Sequence, residues 1–234
     1  MPELSTLSLA ADANLVAYWK LEDTSATTGG FTLTNNNTVA FNNAKFTKGA
    51  DFGSSNSNKS LTIASDLGIG GGAFSTSLWF KSSAEISTGT YLLFSKGDAA
   101  THVNHFIGYS YNSGTRRLQF TRLKQGVSQE NIYHEITLGT DNYYHFVLTY
   151  DTSNIIAYVN GSAVESPVSS TGNGSANNFD NTTIGCGFNA GDNSLIGYTS
   201  GIIDDVAVFN RALTPSEIWS IYQFGTKSLF FAQL

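Results

Sequence analysis

Disulfides, membrane spans and basic stripes are what this chain lacks. One cysteine, Cys186, stands in 234 residues, which excludes an intramolecular disulfide framework. Within Thr183-Ile184-Gly185-Cys186-Gly187-Phe188 it reads as a small buried thiol on a strand. No stretch supplies the roughly 18 consecutive apolar residues that a membrane-crossing helix requires. Met1 to Asn14 has neither a cationic start nor a continuous apolar run, so it is not read as a secretory signal. Only 13% of residues are charged, with a net charge of −6. No basic stripe provides a nucleic-acid footprint, and no polybasic segment addresses an anionic membrane. The expected partners therefore include neither nucleic acid nor an inserted membrane.

Catalytic patterns are also missing. A glycan-cleaving site needs two carboxylates flanking the scissile bond, which on one strand means acids at i and i+2 or i+4. Glu22-Asp23 and Asp204-Asp205 are adjacent, and Glu130 and Glu135 are five apart, so each pair is expected to point to opposite faces. His102-x-x-His105 has a chelating spacing but lies in a polar stretch, and reads as solvated. No Cys/His cluster has zinc spacing. Gly68-Ile69-Gly70-Gly71-Gly72 precedes a strand and lacks the Lys-Ser/Thr of a phosphate loop. The chain is expected not to be an enzyme.

What is present is strand and turn. Gly numbers 23, and 16 Phe, 11 Tyr and 3 Trp supply aromatic mass. Period-two runs are separated by turn formers. They include Leu15 to Leu21, Phe74 to Lys81, Thr90 to Lys96, His105 to Tyr111, Arg117 to Leu123, His134 to Leu138, Tyr144 to Tyr150, Ile155 to Asn160, Thr182 to Phe188 and Ile202 to Phe209. Asn160-Gly161 is a hairpin turn. Trp19 and Trp79 are expected in the core. About a dozen short strands in one chain imply an all-β, antiparallel two-sheet sandwich. One helix is expected, Pro215 to Phe224, opened by a Thr214-x-x-Glu217 capping box with Pro215 at its first position. Trp219 is expected to anchor it. The expected organisation is a lead-in over 1–12, one domain over 13–224, and an apolar tail over 225–234. That tail either packs back or contacts a second chain, giving a possible homo-oligomer.

Four blocks carry a family resemblance. They are Leu15-Val16-Ala17-Tyr18-Trp19-Lys20-Leu21-Glu22, then Lys45 to Gly53 with Leu61-Thr62-Ile63. Next come Tyr144 to Asp151 with Ala157-Tyr158-Val159-Asn160-Gly161, and finally Ile184-Gly185 with Gly201 to Ile218. In this order they resemble the laminin-G-like / concanavalin A-like jelly-roll domains. The resemblance implies a jelly roll that binds glycans or other surfaces. It also implies a structural calcium ion tying early strands to the last one, with Asp204 at the matching position and Glu22, Asp23, Asn36 and Asn37 as partners. Alternation places Asp204 with Ile202, Val206 and Val208, where a carboxylate needs a partner or a metal. The alternative is that Asp204 accepts main-chain N–H bonds and holds no ion. For sugar, candidates are Tyr109 and Tyr111 with Arg116, Arg117 and Arg122; the alternative is that these aromatics fill the core. Three functions remain open: a glycan-binding or adhesion module, an extracellular or virion-surface component that binds a receptor, and, least, a glycan-cleaving enzyme.

Overall fold

The computed structural model describes residues 4, 7–54, 57–65, 67–69, 71–86, 88–98, 102–123, 129–170, 181–188 and 194–226, with only the main chain for 98 and 102–104. The first strands are β1 (Leu15–Trp19), β2 (Thr34–Asn36), β3 (Ala40–Asn43), β4 (Lys48–Asp51), β5 (Ser60–Ile63) and β6 (Phe74–Ser82). The middle ones are β7 (Gly89–Asp98), β8 (His102–Asn112), β9 (Thr115–Arg122), β10 (Glu130–Glu135), β11 (Tyr144–Tyr150) and β12 (Asn154–Val159). The last are β13 (Ser162–Ser169), β14 (Thr182–Ile184), β15 (Gly187–Phe188), β16 (Leu195–Ile196) and β17 (Gly201–Phe209), followed by helix α1 (Pro215–Thr226).

Two antiparallel sheets make the sandwich. The eight-stranded sheet runs β13-β12-β11-β6-β17-β4-β3, with β1 also paired to β17. The seven-stranded sheet runs β10-β9-β8-β7-β14-β5-β2, and β15-β16 form a small separate ribbon. Turn chemistry sets the hairpin registers. Asn160 (φ 50°) and Gly161 (φ 79°) join β12 to β13, and Ser113 (φ 50°) and Gly114 (φ 91°) join β8 to β9. Two successive left-handed residues match the twist of the flanking strands.

Alternation then sorts the side chains. Leu78, Phe80, Ile107, Leu118, Phe120, Phe146, Leu148, Ile203, Val206 and Val208 belong to the core between the sheets. A second apolar cluster lies on the outer side of the eight-stranded sheet, where Tyr18, Val147, Tyr158, Ala207 and Phe209 meet Leu4, Leu9, Ile218 and Ile221. Helix α1 and the lead-in thus close a face that would otherwise expose apolar side chains. The lead-in, expected to be loose, is held at residues 4 and 7–12. Leu4 and Leu9 are buried, a 3-10 turn spans Ser8–Ala11, and Asp12 pairs with Arg211. The capping box forms as read: Thr214 N–H donates to Glu217 Oε2 at 2.7 Å, and Glu217 N–H donates to Thr214 Oγ1 at 3.3 Å.

Three expectations are corrected. The strand expected at His134 to Leu138 lies at Glu130–Glu135 instead, where the chain pairs with β9 from Glu130↔Arg122 to Glu135↔Arg117; Leu138 is still buried in the core beyond its end. His105 is not solvated: β8 begins at His102, so His105 faces inward and is fully buried. Trp79 is buried as expected, on the outer side of the eight-stranded sheet beneath Tyr222. Trp219 is 44% exposed, and the helix is anchored by Ile218 and Ile221. The tail residues 227–234 lie outside the described residues.

Candidate functional site

The adjacent acids of β17 do not point to opposite faces. Asp205 has φ 55°, and the register to β6 shifts between Asp204 and Ala207. That extra residue is a β-bulge, which turns two successive side chains to one side. Ile203 and Val206 face the core, and Asp204 and Asp205 both face outward under the covering segments, 1% and 3% exposed. Asp204 therefore does not share a face with Val206 and Val208. Its Oδ2 accepts the Phe46 N–H at 3.1 Å. Lys45 lies beside it, with its ammonium 4.6 Å from the Trp79 ring centroid. Burial pushes the Lys45 amine down, and the Asp204 charge partly restores it. Asp205 accepts the Tyr18 hydroxyl and, at 3.1 Å, the Leu4 N–H. Tyr143, near Asp204 and Asp51, is pushed up to about 12 by burial and then by those two charges.

The implied calcium ligands do not fit one ion. Glu22 accepts the Thr47 hydroxyl. Asp23 Oδ1 caps the Ser25 N–H at 2.6 Å. Asn36 sits in the other sheet, donating to Thr62 Oγ1 at 3.0 Å, and Asn37 donates to the Asn58 carbonyl at 2.7 Å. Among the described residues, no three His, Cys, Asp or Glu side chains gather as a metal cluster.

The expected sugar residues divide by face. Tyr109 is 1% exposed within the core. Its hydroxyl accepts the Leu138 N–H at 3.3 Å, and burial pushes it up. Tyr111 packs partly against the core. Arg116 donates from Nε to the Ile86 carbonyl at 3.0 Å and pairs with Glu85 at 3.0 Å. Arg122 is 1% exposed; it stacks 3.8 Å from the Tyr150 ring centroid and pairs with Glu130 at 3.3 Å. These four face inward or seal the sandwich rim, because they alternate in step with Leu118 and Phe120. The face shared by Tyr109 and Tyr111 is the core face.

Arg117 has the opposite parity and faces out. Register places Glu135 of β10, Arg117 of β9, Ser110 of β8 and Thr90 of β7 in one row across the seven-stranded sheet. The next row is Tyr133, Gln119, Gly108 and Leu92. Beyond it, Asn131 stands opposite Thr121. Tyr133 is 39% exposed, and the Arg117 guanidinium lies 3.9 Å from its ring centroid. Gln119 Nε2 donates to Asn131 Oδ1 at 3.2 Å, and Thr121 Oγ1 donates to the same oxygen at 2.6 Å. Gly108, Ser110 and Thr121 are buried in the middle of this face, and a Cβ at Gly108 would meet Leu92 Cδ2 and the Tyr91 carbonyl at 3.1 Å. A cleft of about 360 Å³ opens beside Glu135, lined by Gly114, Thr115, Arg116, Ile136 and Thr137. Another of about 250 Å³ opens beside Thr90, lined also by Tyr91, Gly197 and Tyr198. With strands ~4.8 Å apart, the four strands span about 14 Å. An exposed ring, fixed amides and an arginine along such a track can stack a sugar and hydrogen-bond its hydroxyls. The missed residues were legible: Arg117-x-Gln119-x-Thr121 and Asn131-x-Tyr133-x-Glu135 alternate out of phase with Leu118, Phe120 and Ile132.

The fold and this polar outer face define a jelly-roll sandwich of lectin-like architecture. Residues 34–219 match the Laminin G 3 family, the concanavalin A-like lectin/glucanases superfamily, and the chain belongs to it. Among solved structures, it is similar to domain 4 of AbnA, a GH43 extracellular arabinanase from Geobacillus stearothermophilus, in complex with arabinotriose. That match has 21% identity and TM-score 0.63, covering 90% of this chain and 98% of that one. It is also similar to the binding domain of botulinum neurotoxin DC in complex with rat synaptotagmin II (15%, TM-score 0.66, covering 91% and 52%). A third is a structure of botulinum neurotoxin type C, whose cell entry depends on interaction with two ganglioside molecules (16%, TM-score 0.67, covering 94% and 53%). The chain spans about half the length of these toxin chains. At these identities the likeness is one of fold. A comparison with curated proteins gave no match.

Proposed function

We propose that this protein is a non-catalytic carbohydrate-binding module that takes a short oligosaccharide across the outer face of the seven-stranded sheet. The observation that carries the reading is the exposed Tyr133 ring, flanked by the outward side chains of Arg117, Gln119 and Asn131. The superfamily supports it, as do one neighbour in complex with arabinotriose and one toxin whose cell entry depends on interaction with two ganglioside molecules. The non-catalytic part is supported by the acids. The bulge brings Asp204 and Asp205 to one side, but both are buried and occupied by main-chain and tyrosine donors. Glu130 and Glu135 take opposite faces of β10: Glu130 pairs inward with Arg122, and Glu135 is exposed outward.

The test is retention on polysaccharide gels and glycan arrays, for the intact protein and for Tyr133→Ala. Binding lost on Tyr133→Ala with unchanged thermal unfolding is the expected result. Absence of binding to every saccharide, or full binding by Tyr133→Ala, overturns the reading. Reducing-end release from a polysaccharide would restore the enzymatic alternative.

A second reading is attachment to a protein receptor at a cell or virion surface. It is favoured by Trp219, 44% exposed on α1, and by a cleft of about 410 Å³ between that helix and Leu7, Ser8 and Leu9. An extracellular or particle-surface location accords with both readings.

A further inference from the structure

We infer that the sugar taken by the Tyr133 face is anionic, and that Arg117 receives its carboxylate or sulfate ester. This rests on the carbohydrate-binding reading and adds the charge of the ligand to it.

The chain has four arginines, at 116, 117, 122 and 211. Three are ion-paired: Arg116 with Glu85, Arg122 with Glu130, and Arg211 with Asp12 and Glu217. Arg117 has no carboxylate partner and no side-chain hydrogen bond among the described residues; its guanidinium lies against the Tyr133 ring. Its Nε is buried without a partner. A buried Nε–H without an acceptor is costly, and the half-buried guanidinium keeps its terminal NH2 groups uncommitted to any side chain among the described residues. Glu135 stands directly opposite in the β9–β10 register, yet Arg117 leans over Tyr133 instead. That places a cation beside the exposed Tyr133 ring.

The chemistry is matched to a planar or tetrahedral oxyanion on a sugar. The guanidinium fork donates to two oxygens side by side, which an ammonium does not reproduce. Gln119 spends its amide N–H on Asn131 and Thr121. Its carbonyl oxygen carries no hydrogen bond among the described residues, leaving an acceptor for a sugar hydroxyl. A neutral glycan would use Tyr133 and Gln119 and leave Arg117 idle. An anionic one uses all three.

The experiment is calorimetric titration of the full chain with three probes: an oligogalacturonate, its carboxyl-reduced neutral counterpart, and a sulfated galactan oligosaccharide. The expected result is affinity at least tenfold tighter for the uronate or the sulfated probe than for the neutral one, weakened by added salt. The better of the two anionic probes identifies the oxyanion. Arg117→Gln should abolish the preference and keep whatever neutral binding exists. Arg117→Lys should recover only part of it, and Glu135→Gln should strengthen anion binding by removing a neighbouring negative charge. Thermal unfolding of each variant checks its fold. Equal affinity for neutral and anionic probes, or an anion preference that survives Arg117→Gln, overturns the inference. If the neutral probe binds and is lost on Tyr133→Ala, the carbohydrate reading stands without it. If no saccharide binds at all, both fall.

Discussion

Thr76 Oγ1 of the eight-stranded sheet lies 2.9 Å from His105 Nε2 of the seven-stranded sheet, a polar tie through the middle of the core. The imidazole stacks between Phe74, 4.1 Å away at 18°, and Phe94, 5.5 Å away at 25°. His145 makes an equivalent bond on the outer face, 2.8 Å from Ser77 Oγ, beneath Trp79 and Tyr222. Both rings are fully buried, so each is held neutral.

Acid sensitivity follows from these two rings. Burial, then the charges of Lys96 and Arg122, pushes His105 well below the ordinary histidine value. Burial, then Lys45, pushes His145 down to about 3. The unfolded chain takes up these protons near pH 6.5 and the folded chain does not. Stability is therefore full above pH 6.5 and is lost as pH falls from there toward 3, at a limit of about 1.4 kcal/mol per pH unit per histidine. Urea unfolding at pH 7, 6 and 5 should show a falling free energy before most carboxylates titrate. A flat profile over that interval would contradict the burial of both rings.

Gly225 decides between two opposed effects. It lies inside α1, where replacement by alanine ordinarily gains about 1 kcal/mol of helix propensity. Here a Cβ would overlap the Trp79 ring. That ring is pinned by Tyr222 at 5.9 Å and His145 at 4.9 Å, so it cannot yield cheaply, and overpacking typically costs ~1–3 kcal/mol. Gly225→Ala should lower the unfolding midpoint, with fluorescence of the Trp79 region altered. A raised midpoint would mean the helix does not rest on Trp79.

Arg211 clasps the lead-in to the helix start. It donates to Asp12 Oδ2 from Nε at 2.8 Å and pairs with Glu217 at 2.7 Å. Glu217 is brought down to about 2, first by Arg211 and then by Thr214, against the effect of burial. Burial alone would raise Asp12, but the Asn14 N–H and Arg211 hold it low. Lowered carboxylates stabilise the fold above their unfolded values, 3.8 for Asp12 and 4.5 for Glu217, and that stability is lost as pH falls toward 2. The clasp is partly solvated, so its contribution is discounted to the level of a cap and a surface network. Glu217→Ala should cost about 1–2 kcal/mol at pH 7 by chemical unfolding. Little difference from the parent protein should remain near pH 2. An equal loss at both pH values would assign the effect to packing rather than charge.

Fold and site differed in how far the sequence revealed them. Tyr144–Tyr150 and the capped helix were legible because their alternation and capping residues agree with the tertiary context. The bulge at Asp205 was not: one positive φ reverses parity along β17, and no glycine marks it. The outer face proposed for sugar was missed for a related reason. Tyr109 and Tyr111 are conspicuous aromatics, yet they point inward with Ile107. Tyr133 lies on a strand whose place was read four residues too late, so its outward parity with Gln119 and Arg117 went unseen.

The same bulge yields a test of the last strand. Asp205 collects the Tyr18 hydroxyl and the Leu4 N–H, both buried. Removing the acceptor leaves two donors unsatisfied, whereas removing only the tyrosine hydroxyl leaves the carboxylate its main-chain partner. Asp205→Ala should therefore destabilise by about 2–4 kcal/mol and Tyr18→Phe by roughly 1 kcal/mol, with Asp205→Asn in between. Asp204 satisfies Phe46 beside Lys45, and Glu22, Asp23 and Asn36 are engaged elsewhere. Adding calcium to metal-stripped protein should then leave the unfolding midpoint of the parent and of Asp204→Ala unmoved. A calcium-dependent rise lost on Asp204→Ala would show that these carboxylates rearrange to hold an ion, since a ligand bound only by the native state must stabilise it.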